Sequence, residues 1–557
     1  MSGSTNSPSD FLATTHQVEN QPPLLVNYNP YLQDQALQEG VRREGASWAE
    51  EDLTHFGAFT GQEAIIQLGF EANAHKPTFE SHDRRGERVD LVRFHPAYHR
   101  LMQIAVQEGL HAAPWSDPKP GAQVARAAKY YLHTQVEAAH GCPITMSFAA
   151  LPTLLKQENV TAPWIKKLFS RDYDPSNQPF EQKTGITLGM AMTEKQGGSD
   201  VRSNTTRAYP LGQEGPGQAY ELVGHKYFVS APMSDGFLVL AQAPGGLSCF
   251  LLPRWKPDGT KNPLQIQQLK NKMGNVANAS SETELLGALA WMLGEEGKGV
   301  RTIIEMVAMT RYDCMLGSSA GMRQATAQAL HHTAYRQAFG KPLNQQPLMQ
   351  NLLADLALES EAALALTLRL SRALDNQQDE HEQALLRLAT PIGKYWICKR
   401  TPNHAYEAME IIGGSGVMEN HIMPRLFRES PINSIWEGSG NVQCLDVLRA
   451  WHKSPESLEV YLDEVSLAQG SNTYLDHFLQ ELRKDLKDTS NLEYRARNLV
   501  DRLALALQAS LLVRNSPHEV SDAFCASRLQ AGGGLNYGNL PPGVACQTIL
   551  TRATPQI

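Results

Sequence analysis

Nowhere in the 557 residues does an uninterrupted apolar run approach the roughly 18 residues that a membrane-spanning helix needs. The seven cysteines are an odd number: Cys142, Cys249, Cys314, Cys398, Cys444, Cys525 and Cys546 are scattered, and no two form a CxxC pair. That argues against a disulfide framework and against a structural zinc site or other metal centre, and it points to the cytoplasm or another reducing compartment. No GxGxxG stands between a strand and a helix, so a dinucleotide of the Rossmann kind has no seat. A net charge of −8 gives no global pull toward nucleic acid. Residues Met1 to Asp10 are small and polar, with neither a basic start nor an apolar stretch. They are no secretory signal and read as a disordered lead-in. No internal repeat of fixed period is visible.

What is there is an ordinary globular balance, 42% hydrophobic and 19% charged, in a chain long enough for several domains. Four regions follow one another. Residues 1–185 read mostly helical: in 124–139 the apolar groups Val124, Ala128, Tyr131, Leu132 and Val136 recur at three- and four-residue steps. Residues 186–292 change to short β-type runs broken by Gly, Pro and Asn, such as YELVGHKYFVS and GFLVLAQA, which predict an antiparallel sheet or small barrel. Residues 293–450 return to helix, over 300–309, 317–339, 348–374 and 382–400, and predict a bundle. Residues 451–557 read as helical to Val513, with an irregular Gly/Pro-rich tail from Ala531 to Gly543. Segregated helices and strands predict an α+β fold, mainly α.

Four segments carry chemistry. MAMTEKQGGSD (Met190 to Asp200) has two glycines that free backbone N–H groups for an anionic or amide-bearing planar ligand, flanked by the hydroxyls of Thr193 and Ser199. A plain turn with a helix cap at Ser199 or Asp200 accounts for it equally well. GHKYFVSAPMSD (Gly224 to Asp235) reads alone as a strand with one buried aromatic. RQAFGKPLNQQPLMQNLLADL (Arg336 to Leu356) could be a helix end with a glycine cap. MEIIGGSGVMENHIMPRLFRESPINSIWEGSGN (Met409 to Asn441) places a carboxylate, Glu437, after a Gly-rich turn and an arginine.

Together these segments resemble the acyl-CoA dehydrogenase superfamily over roughly residues 100 to 450. The first is similar to its T-E-x-x-x-G-S-D signature, the second to G-x-K-x-W-I-T, the third to R-x-x-F-G-x-P, the fourth to the stretch ending in Y-E-G-T. The resemblance implies an FAD protein with an N-terminal helical domain, a middle antiparallel β-domain and a C-terminal helical domain. It places Met190, Met192, Thr193, Gly198 and Ser199 along the flavin and its pyrophosphate. Phe228, Val229 and Ser230 would stand at the flavin ring, with Ser230 near N5. Arg336, Phe339 and Gln346 would reach the FAD of a neighbouring subunit, and Trp436, Gly438, Ser439 and Asn441 would complete the site. Gln346 falls one residue before the usual position, which is taken by Pro347. Arg311 matches an arginine near the substrate, and Glu437 matches the base. The reaction needs a carboxylate because the α-proton of an acyl thioester is weakly acidic and must be removed while a hydride leaves the β-carbon. The implied partners are an acyl-CoA or related thioester and an electron-transfer flavoprotein.

Three features narrow the resemblance to the AidB-like branch, associated with the adaptive response to alkylation: MTEKQGGSDVRSNTTRA, the long N-terminal region with VRFHPAYHRLM and VEAAHGCPITMSFAALP, and the helical extension after residue 450. In that branch the assembly is a tetramer and the extension is proposed to bind double-stranded DNA. Here residues 446–557 hold 11 basic against 13 acidic residues. The densest basic stretch, Arg483, Lys484, Lys487, Arg495, Arg497 and Arg502, is interleaved with Asp485, Asp488, Glu493 and Asp501. It reads first as a solvated face of mixed ion pairs, with DNA contact as the alternative. Three functions therefore stand: an acyl-CoA dehydrogenase, a DNA-associated flavoprotein with residual activity, and an acyl-CoA or lipid binder without turnover.

Overall fold

The computed structural model describes residues 16–530 and 535–556. The lead-in expectation for residues 1–10 and the start of the expected irregular tail, residues 531–534, lie outside them. The fold is α+β and mainly helical, with the strands gathered in the middle of the chain. Among the described residues no helix is long and apolar enough to cross a membrane, and no group of three or more His, Cys, Asp or Glu is placed to hold a metal ion.

The N-terminal region is helical but also contains a hairpin, β1 (Thr78–His82) with β2 (Arg88–Arg93), that the sequence reading missed. Both strands are largely exposed or half-buried, so they lack the apolar alternation by which a strand is recognised. The middle region holds β3 (Leu188–Ala191), β4 (Arg207–Pro210), β5 (Ala219–Ser230), β6 (Gly236–Ala243), β7 (Gly246–Pro253), β8 (Leu264–Leu269) and β9 (Ser280–Leu293). Pairings β6–β7, β7–β9, β9–β5, β5–β4 and β4–β6 close a small barrel, with β3 parallel to the start of β6 and β8 alongside β9. Tyr220, Leu222, Phe237, Val239, Phe250 and Met292 fill it.

Behind the barrel runs one helix of 37 residues, Gly299–Tyr335. The sequence had suggested two, broken near Gly317. Glycine lowers helix propensity by only about 1 kcal/mol, and burial on almost every side outweighs that: this helix packs on helices Ala122–Val136, Gly141–Leu155, Pro347–Asp375 and Glu380–Ile412. Helix Glu380–Ile412 runs past its expected end at Arg400 despite an internal Pro402. Beyond Val513, where helix was expected to stop, lie two further helices, His518–Arg528 and Cys546–Ala553.

Candidate active site

Glu437 sits in the turn between the short helix Ile432–Ile435 and helix Gly440–Lys453. Its backbone is left-handed, φ 58°, a conformation a non-glycine residue keeps only where its surroundings impose it. The imposing groups are four side chains. Arg311 Nε and Gln443 Nε2 each donate to the Glu437 carbonyl at 3.0 Å. Lys394 Nζ donates to the carbonyls of Trp436 at 2.7 Å and Gly438 at 2.5 Å. Asn433 Oδ1 accepts from Trp436 Nε1 at 2.8 Å. Gly438 is required here: at φ 91° an added Cβ would meet Gln443 Nε2 at 2.6 Å.

The Glu437 carboxylate lies 2.7 Å from the Thr310 hydroxyl, which donates to it. Burial raises its pKa above the ordinary 4.5, and the Thr310 hydroxyl, Lys394 and Arg311 only partly oppose this. A shielded carboxylate of raised pKa is what proton abstraction requires.

The loop Thr193–Asp200 follows β3 and faces the strand end at Tyr227–Ser230. Tyr227 N donates to Thr193 O at 2.8 Å, and Met192 O accepts from Asn204 Nδ2. Glu194 ties the two motifs together. It is buried, accepts from Lys226 Nζ at 2.8 Å, and takes further hydrogen bonds from Thr205, Thr206 and Gln196. Burial alone would raise the Glu194 pKa, but Lys226 and these donors hold it well below the usual range. A bulge in β5 between Lys226 and Val229 turns the Phe228 ring outward, where it is 45% exposed. Val229 faces the barrel interior, so its backbone is what it can offer the cleft. Ser230 is half-buried, with its hydroxyl 3.2 Å from that of Ser280.

Cys142 joins the halves of the site. Its thiol, pushed by burial to about 11, is hydrogen-bonded to Ser230 and close enough to feel the charge of Glu437. The barrel also docks on helix Ile422–Glu429 through Asn275 N to Glu429 Oε2, 2.7 Å.

The remaining expected residues fall in different places. Met190 lies in β3 beside Leu238, and Gly198, Ser199, Ser439 and Asn441 are exposed. Arg311 also pairs with Asp446 at 2.7 Å, so the residue expected beside the substrate braces the turn that carries Glu437. Arg336, Phe339 and Gln346 sit together past the end of the long helix. Arg336 donates to Asn20 O, Gln346 to Ala338 O, and Phe339 is 98% exposed. Residues 310 and 336 are 26 apart along that helix, about 39 Å at 1.5 Å per residue. Thr310, Lys394, Gln443 and Glu194 are the members that sequence reasoning passed over. Glu194 and Lys226 stood inside recognised motifs and Thr310 directly before the matched Arg311; Lys394 and Gln443 carried no local signal.

Residues 20–175 match the adaptive response protein AidB N-terminal domain, 189–287 the acyl-CoA dehydrogenase middle domain and 297–452 its C-terminal domain. The chain is 46% identical to the AidB protein of Escherichia coli (strain K12) over 94% of its own length and 96% of that protein. This chain belongs to the AidB-like branch of the acyl-CoA dehydrogenase superfamily. It is also 29% identical to acyl-CoA dehydrogenase family member 11 of Caenorhabditis elegans, over 91% of this chain and 83% of that one. The solved structure of Caenorhabditis elegans ACDH-11 in complex with C11-CoA superposes with a TM-score of 0.85 at 27% identity, covering 94% and 95% of the two chains.

The cofactor of the superfamily is FAD, and this AidB-like chain has residues that fit it. Phe228 offers a flat apolar face already turned outward, Ser230 ends the same strand with a hydroxyl, and Thr193, whose carbonyl accepts from Tyr227 N, brings another. At Gly197 an added Cβ would meet nothing within 4 Å, so the loop backbone is open to a ligand.

Proposed function

We propose that this protein is an FAD-dependent acyl-CoA dehydrogenase in which Glu437 removes the α-proton of an acyl thioester. The observation that carries this reading is the Glu437 carboxylate itself: half-buried, raised in pKa by desolvation, held by a strained turn, and close enough to act on Cys142, whose thiol is hydrogen-bonded to Ser230. FAD, when bound, supplies the two-electron acceptor for the β-hydride. The residues that would hold it are Thr193, Ser199 and the Gly197–Gly198 backbone along the loop, with Phe228 and Ser230 at the ring and Trp436, Gly438 and Asn441 beyond. Arg336, Phe339 and Gln346 lie too far along the long helix to serve the same site, which supports a homotetramer in which they serve a second copy's flavin. Thr310 holds the carboxylate in place, and Arg311, Lys394 and Gln443 hold the turn that presents it. An electron-transfer flavoprotein is the proposed oxidant of the reduced enzyme, and the seven free cysteines support a cytoplasmic setting. The complex of the worm relative with C11-CoA supports an acyl-CoA as substrate class.

The six cations considered for DNA contact support that role less. Arg483 donates to Ser466, Lys484 pairs with Glu481, Arg495 with Asp488, Arg502 with Asp485, and Arg497 donates to Asn441. Five of the six thus have partners within the chain.

The test is anaerobic mixing of the flavin-loaded protein with acyl-CoAs of graded length. Bleaching of the flavin by at least one of them is expected, with loss of bleaching in Glu437→Gln. Tight binding with no bleaching at any length would defeat the dehydrogenase reading in favour of a non-catalytic binder.

A further inference from the structure

The loop between β8 and β9 carries groups that the proposed reaction leaves unused. Lys272, largely shielded there, donates from Nζ to Asn278 O at 2.9 Å and to Ser280 Oγ at 2.9 Å. Ser280 is buried, and its Oγ lies 3.2 Å from Ser230 Oγ.

The directions of these hydrogen bonds follow from counting protons. An ammonium donates three times and accepts none, whereas a serine hydroxyl has one proton and two acceptor sites. Ser280 must therefore accept from Lys272, and its single proton is left for Ser230. The Ser230 oxygen then accepts, and its own proton must point away from Ser280, toward Cys142 or into the cleft. Cys142 contacts Ser230, but a thiol sulfur is a weak acceptor and yields to a stronger one in the cleft.

We propose that Lys272 is a positioning residue which, acting through Ser280, turns the Ser230 hydroxyl into an obligatory donor to the flavin and so favours the reduced cofactor. This rests on the FAD reading above. A fixed donor backed by a buried positive charge stabilises negative charge that develops on the ring during reduction, more strongly in a shielded site than in water.

The surroundings give the device a pH limit. Burial lowers Lys272 to about 8, opposed by its neighbours Cys142 on helix Gly141–Leu155, Glu429 on helix Ile422–Glu429, and Glu137 in the turn between two N-terminal helices. Glu429 is itself raised by burial and by Glu137 to about 7, with Arg425 opposing. Below about 8 Lys272 is an ammonium and the direction is enforced. Above it the neutral amine can accept a proton, and Ser280 can turn back toward it.

The experiment is a dye-coupled reductive titration of the flavin-loaded full-length protein, with the thermal midpoint and visible spectrum recorded beside it. K272M and S280A are each expected to lower the equilibrium constant for flavin reduction about tenfold, equivalent to about 30 mV for a two-electron couple. K272R is expected to restore most of it, and the wild type should lose its advantage over K272M as pH passes about 8. K272M and S280A matching the wild type, with full flavin content, would overturn the proposal. So would a lower thermal midpoint without a shifted equilibrium, which marks a purely structural lysine, and so would a shift in S280A alone. If K272M does not fold, S280A against K272R decides the matter by the same criterion. A wild-type protein that neither carries nor takes up flavin would instead sink the FAD reading, and this inference with it.

Discussion

Two charged clusters of this molecule are built in opposite ways, one from residues far apart in the chain and one from a contiguous run. One surrounds Glu437, where Arg311, Asp446, and the pair Arg387 and Lys394 come from three different helices. The other is the run from Arg483 to Arg502 in the C-terminal extension. Around Glu437, Arg311 and Lys394 are shielded and donate to backbone carbonyls, holding a turn that would otherwise relax, while the more exposed Arg387 joins Arg311 on Asp446. In the extension most cations meet a carboxylate or hydroxyl on the same or the adjacent helix, and several are exposed. Exposed pairs of this kind contribute about 0–1 kcal/mol each, whereas a buried charge that loses its partner costs about 3–5 kcal/mol. Density of charge in the sequence is thus a poor guide to where charge matters. The two regions also touch: Arg497 Nε donates to Asn441 Oδ1 at 2.8 Å, so the extension braces the helix that follows Glu437.

The largest expected effect is Glu437→Gln. The flavin-bleaching rate should fall by about 10²–10⁴-fold, the range for loss of a positioned general base, with flavin content unchanged. Bleaching at the wild-type rate would remove the distinction between the two regions.

Next in size, Lys226→Met strands the buried Glu194 carboxylate and should cost about 3–5 kcal/mol in denaturant unfolding. The pH dependence has a definite sign. Glu194 is held well below its unfolded value near 4.5, so its contribution is present above about 4.5 and is lost as pH falls further. Acid-limb unfolding should therefore be flatter in a Glu194→Gln/Lys226→Met double variant.

Smaller, but sharper in meaning, is the pH profile of bleaching. Glu437 acts as a base only when ionised, and burial raises its pKa above 4.5. The rate should rise with pH through a midpoint above 4.5. Thr310→Val removes a donor that favours the ionised form and should move that midpoint upward. A downward move would show that Thr310 does not support the carboxylate.

The smallest effect belongs to the extension. Arg483→Ala with Lys484→Ala should change unfolding free energy by less than about 1 kcal/mol and leave bleaching unaltered. A gel shift with duplex DNA at low salt, abolished by this pair, would reverse the comparison and give the exposed run a function of its own.

Much of this was legible in the chain. The change from three- and four-residue spacing to short β-type runs near residue 186, and back again near 293, marks the helix–barrel–helix order. The TEKQGGSD, GHKYFVS and WEGSGN segments carry the family resemblance and supply the candidate flavin loops and the candidate base, because turns that admit a ligand need glycine and hydroxyl residues in contiguous order. The hairpin at 78–93 escaped notice because exposed strands carry no apolar alternation. The unbroken helix through Gly317 escaped because the cost of a glycine is small beside burial on several faces. Nothing in the sequence separates Lys394, Gln443 or Lys272 from ordinary polar helix and loop residues, and Thr310 is marked only by its neighbour Arg311. Their roles come from hydrogen bonds that span between 6 and 127 positions.

By itself, then, the sequence determined the order of the domains, the flavin-type loops and the identity of the candidate base, all of which are local patterns of residue type. Only the tertiary structure decided that Glu437 is strained and shielded, that Glu194 and Lys226 form one buried pair, and that the basic run of the extension is mostly self-partnered. The physical reason is that burial and hydrogen-bond partnership belong to the space between elements, and the same arginine or lysine can brace an active site or decorate a surface according to what is packed against it.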